Sequence, residues 1–178
     1  MNIFNSPARP FYQSVSMMHL DAIPLVAYKP FVKELFTENE KYITDELVEE
    51  VYDFFEGHTW YVQLAMNELY ILTAKEETCD KPMLKTALDN IIAMQDFTYQ
   101  EIFSRLPDKQ KEVIVAIAKE KKAEGVTSAR FIKQYRLSSS SSVQSGLKGL
   151  MEKDMVTQEQ GVYQVYDKLL GVWLRRNY

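Results

Sequence analysis

Five consecutive serines at residues 138–142 sit in the stretch RLSSSSSVQSGLKGLMEKDMV, and the pattern on either side of them decides what the neighbouring chain can become. A flexible linker would carry no periodicity across the junction. Here Val143, Leu147, Leu150, Met151 and Met155 follow at helical spacing. A helix therefore starts at or within the run, where a serine side chain can accept a hydrogen bond from the free amide groups of its first turn. Upstream, TSARFIKQYRL at 127–137 sets Phe131, Ile132 and Tyr135 on one face of a second short helix, beginning at Thr127 or Ser128. Downstream, MVTQEQGVYQVYD at 155–167 alternates around Glu159-Gln160-Gly161, which is a hairpin signal.

Helix, polar turn, helix and hairpin, in that order, predict a winged helix-turn-helix domain. In the final segment DKLLGVWLRR, Trp173 shares a face with Leu169 and Leu170 and is expected in the core. The net charge of −4 conceals a division that places the boundary of this domain. Residues 105–178 carry 14 Lys and Arg against 8 Asp and Glu, and residues 1–104 carry 7 against 17. The change falls near Leu106-Pro107-Asp108. A basic C-terminal module can approach nucleic acid, and it can equally be drawn to the acidic half of its own chain.

The acidic half predicts a small helical bundle over 28–104. FVKELFTEN after Pro30 and TDELVEEVYDFFEG read as two helices, the second capped by Thr44 and stopped at Gly57. HTWYVQLAMNELYILTAK is apolar on nearly every side and is expected at the centre of the bundle. KPMLKTALDNIIAMQ and DFTYQEIFSRL complete the set as two further helices. Residues 1–27 stand apart: SPARP has turn chemistry, and VSMMHLDAIPL reads as a short apolar strand. A lone strand needs a sheet partner, and no other strand is expected in this half.

The order of these parts resembles the C-terminal region of prokaryotic P-loop ATPases of the STAND and archaeal-ATPase group, related to AAA+ proteins. NSPARPFYQSVSMMHLDAIPL corresponds to the end of a nucleotide-binding core, FFEGHTWYVQLAMNELY to a helical lid, and SSSSSVQSGLKGLMEKDMV with VYQVYDKLLGVWLRR to a winged helix. The resemblance implies that the chain is the tail of a longer protein, that its partner is an upstream ATPase core, and that ATP and Mg belong to that core. In that family a Gly-x-Pro motif at the start of the lid helix lies near the nucleotide base. Gly57, His58 and Thr59 occupy the matching place, with Thr59 where the family has proline. As a plain reading of the residues, Gly57 is a helix stop and Thr59 an N-cap.

The chain itself holds no G-x-x-x-x-G-K-[ST] loop among its six glycines, so it is expected to hydrolyse no ATP. His19 and Asp21 lack any accompanying nucleophile motif, and one cysteine with two histidines offers neither a disulfide nor a zinc-ligand cluster. No cofactor is therefore expected in this chain. No apolar run is long enough to span a bilayer and no signal-peptide core opens the sequence, so a cytoplasmic protein without a membrane partner is expected. For the winged helix, the expected outward residues are Ser141, Ser142, Gln144, Ser145 and Lys148 on its second helix, with Arg130 and Lys133 before it. The side chains of the second helix suit phosphate contact and lack the bidentate arginine of strong guanine readout, while Glu159 sits at the wing tip. Weak, salt-sensitive DNA binding, protein contact and self-association are the uses this surface allows. A stand-alone winged-helix regulator is the alternative to the ATPase tail.

Overall fold

The structure, a computed structural model, describes residues 21–178. Four helices form the N-terminal half: α1 (Leu25–Thr37), α2 (Asp45–Phe54), α3 (Thr59–Leu72) and α4 (Lys81–Ser104). Thr44 accepts a hydrogen bond from the Leu47 amide and Asp80 accepts one from the Met83 amide, so α2 and α4 each open on a side-chain cap. The buried face of α2, with Leu47, Val48 and Val51, packs between α1 and α3, while Ile91 and Ile92 of α4 close the bundle from the other side.

The structure corrects several expectations in this half. The strand expected across residues 15–25 lies largely outside the described residues, and the part that is described, 21–24, is irregular before Leu25 opens α1. That helix begins ahead of Pro30 and carries it inside, on an exposed side where the hydrogen bond lost to the ring is replaceable by water. Two strands are present where none was expected. β1 (Tyr42–Ile43) pairs in parallel with β2 (Thr78–Cys79), each too short to show alternation. The two helices expected over 81–106 are one helix of 24 residues. Asp96 at the expected break does not cap a new helix; it is half-buried against α8 and accepts the Trp173 indole N–H at 2.6 Å. α3 is not enclosed on all sides, since Trp60 and Ile71 remain 58% and 63% exposed. Its N-cap is His58 rather than Thr59, and that cap makes no side-chain hydrogen bond.

The C-terminal half runs α5 (Asp108–Glu120), β3 (Ala123–Glu124), α6 (Ala129–Gln134), α7 (Ser140–Glu152), β4 (Val156–Glu159), β5 (Val162–Val165) and α8 (Lys168–Asn177). The three strands form one antiparallel sheet in the order β3-β5-β4, and this is the winged-helix arrangement the sequence predicts. Ser128 and Ser139 accept hydrogen bonds from the Phe131 and Ser142 amides, so the serine run supplies the cap of α7. Both short helices end in a paired carbonyl closure. Arg136 and Asp154 take left-handed backbone angles (φ 53° and 55°), and the next amides, of Leu137 and Met155, return to Ile132 and Leu150. The hairpin turns on Gln160 and Gly161, both at positive φ (48° and 86°), which matches the right-handed twist of its strands.

Asp167 joins the halves. One of its carboxylate oxygens, Oδ1, accepts the amides of Leu169 and Leu170, capping α8, and also the Tyr61 hydroxyl at 3.1 Å. The other, Oδ2, accepts the Tyr99 hydroxyl at 3.0 Å. Burial and the Asp167 charge push both tyrosine hydroxyls well above their ordinary pKa. Trp173, fully buried as expected, packs edge-on to Phe103. Around this contact Arg176 pairs with Asp89 at 2.8 Å, and Glu56 receives both Lys122 and Lys168.

Three outcomes follow for solution stability. Asp167→Ala uncaps α8 and strands two tyrosine hydroxyls, and urea unfolding should show a loss of about 2 to 4 kcal/mol. Tyr61→Phe leaves the carboxylate its remaining donors and should cost only about 1 kcal/mol. Hydrogen bonds from Lys122 and then Lys168 hold the Glu56 carboxyl below its ordinary pKa. Its contribution is thus present above the usual glutamate range and lost as pH falls through the lowered value. Because the pair is partly exposed and screened, Glu56→Gln should cost about 0.5 to 1 kcal/mol at neutral pH and nothing once wild-type Glu56 is protonated.

Candidate nucleic-acid interface

The position of α7 is set by its packing on α5. Val143, Leu147 and Leu150 are buried there, and Gly146 brings the two backbones together: a Cβ at this position would stand 3.1 Å from the Lys109 carbonyl oxygen and 3.2 Å from Val113 Cγ2. α6 is held by Phe131, buried and packed on the Tyr135 ring, and by Glu120 at the end of α5. Glu120 accepts the Tyr135 hydroxyl at 2.6 Å and the Gln134 amide at 2.8 Å. Burial and then the Glu120 carboxylate raise the Tyr135 pKa, so the hydroxyl stays a donor at neutral pH.

With those faces buried, the opposite face of α7 presents Ser141, Gln144, Ser145 and Lys148 to solvent, as expected, while Ser142 is half-buried. Lys148 is 80% exposed and only loosely paired with Glu152 at 4.0 Å. Arg130 and Lys133 lie on α6, both exposed, and Arg136 follows on the turn between the two helices. None of these three cations makes an ion pair among the described residues, whereas Lys122, Lys168 and Arg176 are committed to acids of the N-terminal half. The basic surplus is thus divided: part of it pairs with acids of the N-terminal half, and part remains exposed on the helix-turn-helix.

Beside α7 runs an open groove of about 410 Å³, lined by Thr127, Gln144, Leu147, Lys148, Met151, Glu152 and Tyr163. Arg136, Thr127 and Tyr163 were not among the predicted site residues. Tyr163 was within reach of the alternation VYQV on the second wing strand, but Thr127 needs the three-dimensional placement of the loop before α6. The wing tip is Glu159-Gln160-Gly161, exposed and acidic, as expected.

Gly57, His58 and Thr59 lie elsewhere, at the corner between α2 and α3. Gly57 has φ 70°, and a Cβ there would come within 2.7 Å of the Tyr52 hydroxyl. The Tyr52 hydroxyl in turn donates to the Ile23 carbonyl at 2.8 Å. The space beside Gly57 and Thr59, walled by Ile23, Tyr28, Tyr52 and Val62, has no volume that a water molecule could occupy. Tyr28 is buried in this wall, its hydroxyl without a hydrogen-bond partner among the described residues, and burial pushes its pKa up to about 12. Among the described residues no cluster of His, Cys, Asp and Glu could hold a metal ion, and no helix is long and apolar enough to cross a membrane.

Residues 97–176 match the family model of a probable winged helix domain, which begins in the last two turns of α4 and takes in everything through α8. No curated protein and no solved structure matched the chain.

Because α7 and α5 meet at Gly146, a branched side chain there should lift the helix from its bed. Gly146→Val is expected to cost about 2 to 3 kcal/mol in thermal or urea unfolding. Ser145→Val, one residue along on the exposed face, should change stability by less than about 0.5 kcal/mol.

Proposed function

We propose that the winged helix is a phosphate-directed nucleic-acid contact module without catalytic activity of its own. The observation that carries this reading is the group of exposed cations without ion-pair partners, Arg130, Lys133 and Arg136, flanking the Ser/Gln face of α7. Serine hydroxyls, a glutamine amide and the positive end of the α7 dipole are suited to phosphate oxygens. The absence of a guanidinium from the exposed face of α7, together with Glu159 at the wing tip, argues against strong sequence discrimination. Such binding would rest mainly on counterion release and fall steeply with salt.

The test is fluorescence anisotropy of a labelled random-sequence duplex over a range of salt concentrations. If about three phosphates are neutralised, log K should fall against log salt with a slope of about −3. Each of Arg130→Gln, Lys133→Gln and Arg136→Gln should reduce the slope by about 1 and weaken binding on every sequence alike. Binding unchanged in the triple variant would end this reading and leave the surface to a protein partner or to self-association.

A second reading is favoured by one observation, the buried and unpartnered Tyr28 hydroxyl beside Gly57 and Thr59. In this reading the two halves are the lid and winged helix of a P-loop ATPase whose ATP and Mg sit in an upstream core, and the corner completes its packing against that core. The firm junction at Asp167 would then carry lid movement to the winged helix. The chain alone should show no ATP turnover above background in a phosphate-release assay. Turnover abolished by a substitution within 1–178 would refute the non-catalytic assignment.

A further inference from the structure

A cleft of about 410 Å³ opens where the C-terminal ends of α2 and α5 meet β5 and α8, apart from the α6–α7 surface. Four cations line it: Lys121, Lys122, Lys168 and Arg175. Three acids share the lining, Asp53, Glu56 and Glu120, which leaves an excess of one positive charge. Glu56 is shared between Lys122 and Lys168, and Glu120 is turned to Tyr135 and Gln134. Asp53 lies in the lining but pairs with none of the four.

Arg175 is the distinctive member. Its guanidinium is partly buried, and Nη1 donates to the Ala118 carbonyl at 3.0 Å. The negative end of α5 offsets part of its charge, but no carboxylate lies within ion-pair distance among the described residues. Arg176, its neighbour in the chain, is paired with Asp89. Arginine does not escape burial by losing its proton, so Arg175 keeps a desolvated charge and several donors beyond the one used. A structural role as a cap for α5 accounts for one of its N–H groups. It does not account for Lys121 and Lys122 converging on the same cleft, nor for the apolar floor that Phe54 and Val172 supply.

We propose that this cleft binds a small phosphorylated molecule, its phosphoryl group held by Arg175 with Lys121 and Lys122 and its apolar body against Phe54 and Val172. The combination of a planar fork and flexible ammonium groups suits a dianionic tetrahedral group. A bound phosphoryl group competes with Glu56 for Lys122, so occupancy acts directly on one of the ties between the halves. The site stands on its own geometry and holds whether or not α7 meets nucleic acid.

The experiment is titration of the full chain with phenyl phosphate and with inorganic phosphate at constant ionic strength, followed by NMR shifts of backbone amides and of the Arg175 side chain. Saturable shifts confined to the cleft are expected, with phenyl phosphate binding more tightly than inorganic phosphate. Arg175→Gln should weaken phenyl phosphate about tenfold. Lys109→Gln, the same charge change at an exposed position on α5 outside both the cleft and the α6–α7 surface, should leave it unaltered. Lys121→Gln, a substitution at an exposed position, provides the same test of the cleft if Arg175→Gln does not fold. Linear, unsaturated shifts, shifts reproduced by chloride, or equal weakening by Lys109→Gln and the cleft variants would overturn the proposal.

Discussion

A single carboxylate with donors from three helices ties this molecule together. Asp167 meets the amides of Leu169 and Leu170 in the first turn of α8, the hydroxyl of Tyr61 at the start of α3 and the hydroxyl of Tyr99 on α4. Each tyrosine is largely buried for its ring and would carry an unsatisfied hydroxyl without this partner. The carboxylate in turn would be poorly solvated without them. α8 is therefore both the last helix of the winged half and a helix of the N-terminal bundle. Trp173, with its ring on Phe103 and its N–H on Asp96, extends the same joint along α4. Surface ion pairs at Glu56 and Asp89 surround the joint and add long-range attraction between the acidic and basic halves, while the buried polar cluster fixes the geometry.

Local chemistry made the winged half legible. The serine that caps α7, the switch from helical to alternating periodicity and the Gln160-Gly161 turn each act within a few residues, and together they specify the order of elements before any contact is known. The short strands left no such trace. Two residues of β1 and two of β2 gain their pairing from the placement of α1 and α4, and nothing alternates over so short a run. The same applies to β3. The break expected near Asp96 failed because an aspartate in mid-helix carries the same letter as an N-cap, and its partner Trp173 lies 77 residues away.

The site divides in the same manner. Outward positions of α7 follow from helical spacing once Val143, Leu147 and Leu150 are placed inward, so Ser141, Gln144, Ser145 and Lys148 were accessible from sequence. Which cations are already committed was not accessible. Arg130 and Arg176 look alike in the sequence, yet one projects from α6 without an acidic partner and the other is held by Asp89. The Asp167 cluster, built from positions 61, 99 and 167, has no local signature at all.

The corners of this fold have a consequence of their own. Glu40, Glu56, Glu76, Lys121, Arg136, Asp154 and Gln160 occupy left-handed backbone positions that glycine would fill with less strain. A glycine carries no charge, and several of these corners deliver one. Glu40 meets Lys75, Glu56 meets two lysines across the joint, Lys121 faces the cleft, and Arg136 stands on the helix-turn-helix. Conformational strain in the turns is thus exchanged for electrostatic addressing: the places where the chain reverses direction are also the places from which it sorts its neighbours by sign.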